Sequence, residues 1–262
     1  MKQKPYILIT NDDGIHALGI KHLWKSLQSA YDLVIIAPQY EQSSVSLSIT
    51  IRHPLHIQSL AWSDDTPAWS ISGTPADCIK LALNVLLKRR PDLVVSGINR
   101  GSNAGRSVLY SGTVGGAIEA VLQDIPGIAF SHSDYDLPDY ASTEKYVPRI
   151  VEYVRQHPLP PGTLLNVNFP CSNLGSAKGI KLARQGKGHW AEKPDQRSHP
   201  SEGHPYYWLG ACFKEFEEDP EGDVHLLNQG YITAVPVHVA ELTDHSHLQA
   251  QRTLFENYMK TT

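Results

Sequence analysis

Tyr6-Ile7-Leu8-Ile9-Thr10-Asn11-Asp12-Asp13-Gly14 runs from an apolar, β-branched segment straight into a polar turn, with no alternation of apolar and polar residues. A run of that texture suits a strand covered on both faces, as in a parallel sheet packed between helices. Segments 32–37, 92–96, 127–131 and 164–168 share it. Between them lie helical stripes: Ile15, Leu18, Leu23 and Leu27; Ile79, Ala82, Leu83 and Leu86; Val114, Ala117, Ile118 and Val121. Alternating strands and helices predict right-handed crossovers and an α/β fold, a three-layer αβα Rossmann-like arrangement around a mainly parallel sheet. Thr74-Pro75-Ala76-Asp77 spells a helix start with a capping box, and Tyr110-Ser111-Gly112-Thr113 opens the third stripe in a similar way.

The loops that follow buried parallel strands share one edge of the sheet, so polar clusters distant in sequence converge there. Three such clusters stand out: Asn11-Asp12-Asp13-Gly14, Glu41-Gln42-Ser43-Ser44, and the run from Ser96 through Asn99 and Arg100 to Asn103. Adjacent carboxylates repel unless a cation or a basic ligand group lies between them. Asp12, Asp13, Ser43 and Asn99 offer two carboxylates, a hydroxyl and an amide oxygen, a partial shell for Mg²⁺ or Mn²⁺ with no sulfur or imidazole to favour zinc or copper. A plainer reading gives Asp12 to a helix cap and Asp13-Gly14 to a turn. Ser111, Gly112 and Thr113 expose backbone N–H groups at a helix start, where the dipole favours a phosphate. Arg100 serves either to screen phosphate charge or in a surface ion pair. His132, after the fourth buried run, is a further candidate near the same edge, whereas the histidines of 199–204 and 245–247 lie in polar stretches without metal-ligand spacing on a helix face and read as solvated.

The chain has 262 residues, 23 Lys and Arg against 27 Asp and Glu, and a formal net charge of −4, which argues against a long nucleic acid as main partner. Its three cysteines, Cys78, Cys171 and Cys212, are scattered and odd in number, so a reducing, cytoplasmic setting is expected. Lys2 and Lys4 precede an apolar run far too short for a signal-peptide core, and no stretch reaches the length needed to cross a bilayer. After about Pro170 the texture changes to Gly-, Lys-, His- and acid-rich segments. Residues 1–170 are expected to form the catalytic core and 171–262 an extension of the same domain, an arm with antiparallel strands at 180–183, 206–209 and 231–235 and a terminal helix over 245–259. Its aromatics Trp190, Tyr206, Tyr207 and Trp208 suit an oligomer contact or a local core.

Taken in order, Ile7 to Ile15, Ala37-Pro38 leading to Ser43, Ser72-Gly73-Thr74-Pro75-Ala76-Asp77-Cys78, Val95-Ser96-Gly97-Ile98-Asn99-Arg100-Gly101 and Tyr110-Ser111-Gly112-Thr113-Val114 resemble the motif set of the SurE family, the stationary-phase survival proteins. The resemblance implies a metal-dependent phosphatase of nucleoside monophosphates, a 5′/3′-nucleotidase, in some members also acting on short polyphosphate. It implies one divalent cation per subunit on Asp12, Asp13, Ser43 and Asn99, and a phosphate-facing loop at Ser111, Gly112 and Thr113 with Asn103 and Asn11 beside it. It also implies homodimers or homotetramers that exchange terminal segments. Two positions depart from the family pattern. Gln42 stands where members often carry a basic residue and Gln39 where an acid follows Ala-Pro, which bears on substrate preference and leaves the metal shell intact.

Asp12 and Asp13 are accordingly the expected catalytic pair, holding the metal, with one of them also orienting or deprotonating the attacking water. Direct attack by Asp12 to give an aspartyl-phosphate carries less weight, because no separate acid partner is marked. A nucleotide-binding or sensing protein without turnover is the alternative. A dinucleotide enzyme is disfavoured because no G-x-G-x-x-G follows the first strand.

Overall fold

Ile7 and Ile9 pack into one apolar cluster and Leu8 into another, the outcome a period of two demands of a strand covered on both faces. The computed structural model describes residues 4–191, 193–210, 212–214 and 216–260. Its strands, in chain order, are β1 (Tyr6–Thr10), β2 (Asp32–Pro38), β3 (Ile57–Leu60), β4 (Ala68–Ile71), β5 (Leu93–Arg100), β6 (Gly127–His132), β7 (Thr163–Phe169), β8 (Ile180–Leu182), β9 (His189–Ala191), β10 (Asp195–Ser198), β11 (Pro205–Trp208), β12 (Cys212–Lys214) and β13 (Ile232–His238). The helices are α1 (Leu18–Leu27), α2 (Pro75–Leu81), α3 (Gly112–Leu122), α4 (Tyr140–Thr143), α5 (Val147–Gln156), α6 (Asp223–Asn228) and α7 (His245–Tyr258).

One sheet orders its strands β3-β4-β2-β1-β5-β6-β7-β13-β8. Every pairing from β4 to β7 is parallel; β3 and β13 join antiparallel to β4 and β7. Helices α1, α4 and α5 cover one face with Ile20, Leu23, Leu27, Val147, Ile150 and Val151, and α2 and α3 cover the other with Cys78, Ile79, Val114 and Ala117. The expected three-layer αβα architecture is therefore present. The chain moves from β1 outward to β2, then returns to place β5 on β1's other side, so the topological switch point lies between β1 and β5.

The structure differs from expectation in several places. Leu18 is exposed, and α1 buries Ile20, Leu23, Trp24 and Leu27 instead, because the chain turns at Gly14 before the helix begins and Ile15 belongs to that turn. The second stripe is a short α-helix that runs into a π-turn over Ala82–Leu86. β8 and β13 continue the main sheet, and their mutual pairing is parallel, so the change of texture after Pro170 marks no break in the sheet. The antiparallel pairs outside it are β10 with β11 and β9 with β12.

One irregularity positions the site. The register between β5 and β6 shifts between Ser96 and Asn99, and Gly97 sits there at φ 129° with a cis bond to Ile98. A Cβ at Gly97 would lie 2.3 Å from Phe130 O, so this bulge needs glycine on both counts. It delivers Asn99 and Arg100 to the sheet's carboxyl edge beside the switch point.

Candidate functional site

Asp12 leaves the end of β1 into the switch-point crevice and is almost wholly buried. Thr113, in the first turn of α3, donates its hydroxyl to Asp12 Oδ1 at 2.5 Å, and its backbone N–H also faces that carboxylate. Ser111 caps α3 by accepting the Val114 N–H at 3.1 Å. The positive end of the helix dipole thus points at Asp12. Gly112 makes this approach feasible: a Cβ there would lie 2.9 Å from Asp12 Cβ, 3.0 Å from Oδ2 and 3.0 Å from Gln42 O. The Gln42 N–H closes the junction by donating to Asp12 O at 2.7 Å. The loops after β1 and β2 and the start of α3 therefore meet on one carboxylate.

Asp13 accepts from the Arg100 N–H at 3.0 Å, which ties the β1 loop to the end of β5. Burial pushes both carboxyls up, and the Asp13 charge adds to the rise at Asp12; the Thr113 hydroxyl opposes it at Asp12 and the Arg100 N–H at Asp13. Among the described residues neither carboxylate forms an ion pair with a side-chain cation. Two adjacent, desolvated acids in that condition take up either a proton or a cation. Asn99 commits its amide nitrogen to Gly101 O at 2.7 Å, which leaves Oδ1 to accept or to ligate. Asn11 Oδ1 is buried and unpartnered, while its nitrogen holds Gly14 O at 2.8 Å. An all-oxygen donor set around two carboxylates fits a hard divalent cation.

Other expected residues are placed less directly. Ser43 is exposed and donates its hydroxyl hydrogen to Glu41 Oε1 at 2.5 Å, which leaves the oxygen lone pairs free to ligate a cation. Glu41 Oε2 in turn lies 3.5 Å from Arg100, whose guanidinium sits 4.6 Å above the Tyr135 ring. Arg100 is thus an ion-pair and cation–π residue in this structure. Gln42 contributes through its backbone, and the side-chain departure at that position leaves the loop's anchorage untouched.

Asn103 is buried and spends its donors inside the protein, on Ser131 Oγ at 2.7 Å and Thr113 Oγ1 at 3.4 Å. Its backbone is pinned from β7: Asn168 Oδ1 accepts the Asn103 N–H at 2.8 Å, and Asn166 Nδ2 donates to Asn103 O at 3.0 Å. This network, absent from the sequence reading, makes Asn103 a brace for Thr113. Its signal is the pair of asparagines set among Leu164, Leu165, Val167 and Phe169 in a fully buried strand, where an unpaired amide would be heavily penalised. Tyr140 has no motif signal in the sequence. It is buried at the start of α4, and its hydroxyl is pushed up first by burial and then by Asp13.

His132 is a core residue. Its ring stacks on Phe169 and meets Tyr140 edge-on, and Nδ1 accepts the Asp134 N–H at 3.2 Å. Burial lowers its pKa below the ordinary 6.5, against the opposing pull of Asp134 and Asp139. A base with a depressed folded pKa contributes stability that is complete above the unfolded value and is lost as pH falls through the folded one. The wild type should therefore lose stability relative to His132→Phe as pH drops from 7 to 5 in urea titrations. Parallel profiles for the two proteins would mean that His132 does not titrate on unfolding.

Residues 7–192 match the family model described as Survival protein SurE. This chain belongs to the SurE family. It is 54% identical to the 5′-nucleotidase SurE of Protochlamydia amoebophila over 99% of this chain and all of that protein, and 44% identical to the 5′-nucleotidase SurE of Flavobacterium johnsoniae over 96% and 97%. The crystal structure of the SurE protein from Aquifex aeolicus superposes with a TM-score of 0.80 at 36% identity, covering 95% of this chain and 99% of that one. The SurE resemblance read from five short motifs thus extends along nearly the whole chain.

Proposed function

We propose that this protein is a divalent-cation-dependent phosphomonoesterase that hydrolyses nucleoside 5′-monophosphates, and to some extent 3′-monophosphates or short polyphosphate, to release phosphate. Asp12 carries this assignment: it is a buried carboxylate beside a second one, held against a helix N-terminus and, among the described residues, without a side-chain cation as ion-pair partner. Asp12, Asp13, the Asn99 amide oxygen and the Ser43 hydroxyl oxygen would hold one Mg²⁺ or Mn²⁺ per subunit. When bound, such an ion neutralises phosphoryl oxygens and acidifies a ligated water.

The remaining chemistry belongs to the chain. Thr113 fixes one Asp12 oxygen and so sets which lone pairs stay available at the other. Ser111, Gly112 and Thr113 present the start of α3 to the phosphoryl group, where developing equatorial charge is favoured by the dipole and backbone N–H groups. Asn103 braces Thr113, while Asn11 holds the β1 turn through Gly14 O and keeps a buried, unpartnered Oδ1 beside the phosphate-facing loop. Asp13, raised by burial and tethered by the Arg100 N–H, suits transient acceptance of a proton from the attacking water.

All these groups lie within residues 1–170, and we assign assembly to 171–262. Helix α7 buries none of its residues and exposes Leu254 and Phe255, which supports pairing with a second copy in a homodimer or homotetramer. Among the described residues no helix is long and apolar enough to cross a membrane, and Cys78, Cys171 and Cys212 are free thiols, which supports a cytoplasmic location.

A phosphate-release panel over 5′- and 3′-nucleotides, short polyphosphate and an aryl phosphate tests the reading. Release from AMP or GMP should cease with EDTA and return when Mn²⁺ or Mg²⁺ is restored. Tight nucleotide binding with no phosphate released under any metal would point to a sensing protein instead.

A further inference from the structure

The sequence His199-Pro200-Ser201-Glu202-Gly203-His204 has no helical ligand spacing, but the chain does not fold as a helix there. It reverses between β10 and β11, whose last paired residues are Ser198 and Pro205. The His199 N–H donates to His204 O at 2.9 Å, which adds one more rung and makes the two histidines cross-strand neighbours. Their rings accordingly lie on one face, 4.9 Å apart and within 13° of parallel. Gly203, at φ 72°, turns the chain and donates to His199 O at 3.0 Å. That turn folds Glu202 back over the rings: its carboxylate is 3.1 Å from His204 Nδ1, and its N–H is 3.2 Å from His199 Nδ1. One ligand atom from each of the three side chains lies within 4.8 Å of the other two.

We propose that this hairpin tip is a metal site, distinct from the acidic centre, that takes a borderline transition-metal cation of the Zn²⁺ type on His199, Glu202 and His204. Two imidazoles and one carboxylate form a donor set that such ions favour and that Mg²⁺ or Ca²⁺ does not. A tetrahedral ion with ligands at about 2.0–2.1 Å needs donors about 3.4 Å apart, which modest side-chain rotation supplies from the present spacing. The fourth position stays with solvent, since Glu202 and His204 are exposed. The bound ion clips the tip of the hairpin shut. It uses none of the groups assigned to phosphate hydrolysis.

The test uses the full, untagged protein, chelator-treated and then titrated with Zn²⁺ against a chromophoric chelator. Wild type is compared with His199→Ala/His204→Ala and with the conservative Glu202→Gln, proteins that share an identical acidic centre. Wild type should bind one more Zn²⁺ per chain than the double variant. Glu202→Gln should weaken that site at least tenfold, and zinc-edge absorption of wild type should show imidazole ligation that the double variant lacks. Phosphate release with Mg²⁺ should be the same in all three. Equal zinc stoichiometry and affinity in wild type and double variant would overturn the proposal, as would a zinc-loaded wild type without imidazole ligation.

Discussion

Asp12→Asn should abolish cation-dependent phosphate release from AMP, with a loss of at least about a thousandfold in kcat/KM, while the chelator-treated variant stays at least as stable as the wild type. The asparagine is isosteric, so Thr113 retains an acceptor at Oδ1 and Gly112 retains its clearance. What disappears is the charge that a divalent ion needs, worth several kcal/mol of transition-state stabilisation in a water-poor site. Without metal, the wild-type carboxylate is disfavoured by burial and by Asp13, and the neutral amide relieves both. Opposite signs for activity and stability separate a functional carboxylate from a structural one, since a capping or folding role would make the variant less stable. Cation-dependent turnover persisting in the variant would remove Asp12 from the metal shell.

Gly19→Ala should destabilise the protein by about 3 kcal/mol or more, the upper part of the range for overpacking, and weaken cation binding with it. Helix α1 crosses the β5 bulge so closely that a Cβ at Gly19 would lie 1.9 Å from Ile98 O and 3.0 Å from Ile98 C. The obstacle is backbone and cannot rotate aside. Either α1 lifts from Ile7, Ile9 and Val95, losing apolar contact, or the bulge shifts and takes Asn99 with it. Both outcomes show in denaturant midpoints, and the second also raises the Mn²⁺ requirement for phosphate release. A change below about 1 kcal/mol with an unaltered metal requirement would mean that α1 does not rest on the bulge.

The legible parts of the fold are those whose environment is uniform. β1, β2, β5, β6 and β7 are buried on both faces, so their apolar runs speak for themselves. β3 is an edge strand that exposes Ile57, Gln58 and Ser59, and nothing in its composition distinguishes it from a loop. Val147, Ile150, Val151 and Val154 are spaced as one helix face, so α5 is as legible as α1, although it lies outside the motifs that lead to the site. The helix starts at Thr74 and Ser111 are local chemistry, and the structure holds both caps.

At the site, residue types and chain order convey that the loops carrying Asp12 and Asn99 meet, because parallel topology sends both to one edge. Side-chain partners are a different matter. That Ser43 turns to Glu41, that Arg100 pairs outward, and that Asn103 is braced by Asn166 and Asn168 depends on rotamers and neighbours fixed only by tertiary packing. The hairpin tip shows the same limit in reverse. His199 and His204 look unremarkable five residues apart in sequence and become neighbours only once the strands pair.

Everything proposed for catalysis requires one hard divalent cation at the switch point between β1 and β5. Anomalous scattering from a crystal soaked in Mn²⁺ measures this directly. A single strong peak is expected at that edge, within coordination distance of carboxylate oxygens from both Asp12 and Asp13. An edge without a peak, in crystals of protein that releases phosphate from AMP in the same Mn²⁺ buffer, would contradict it.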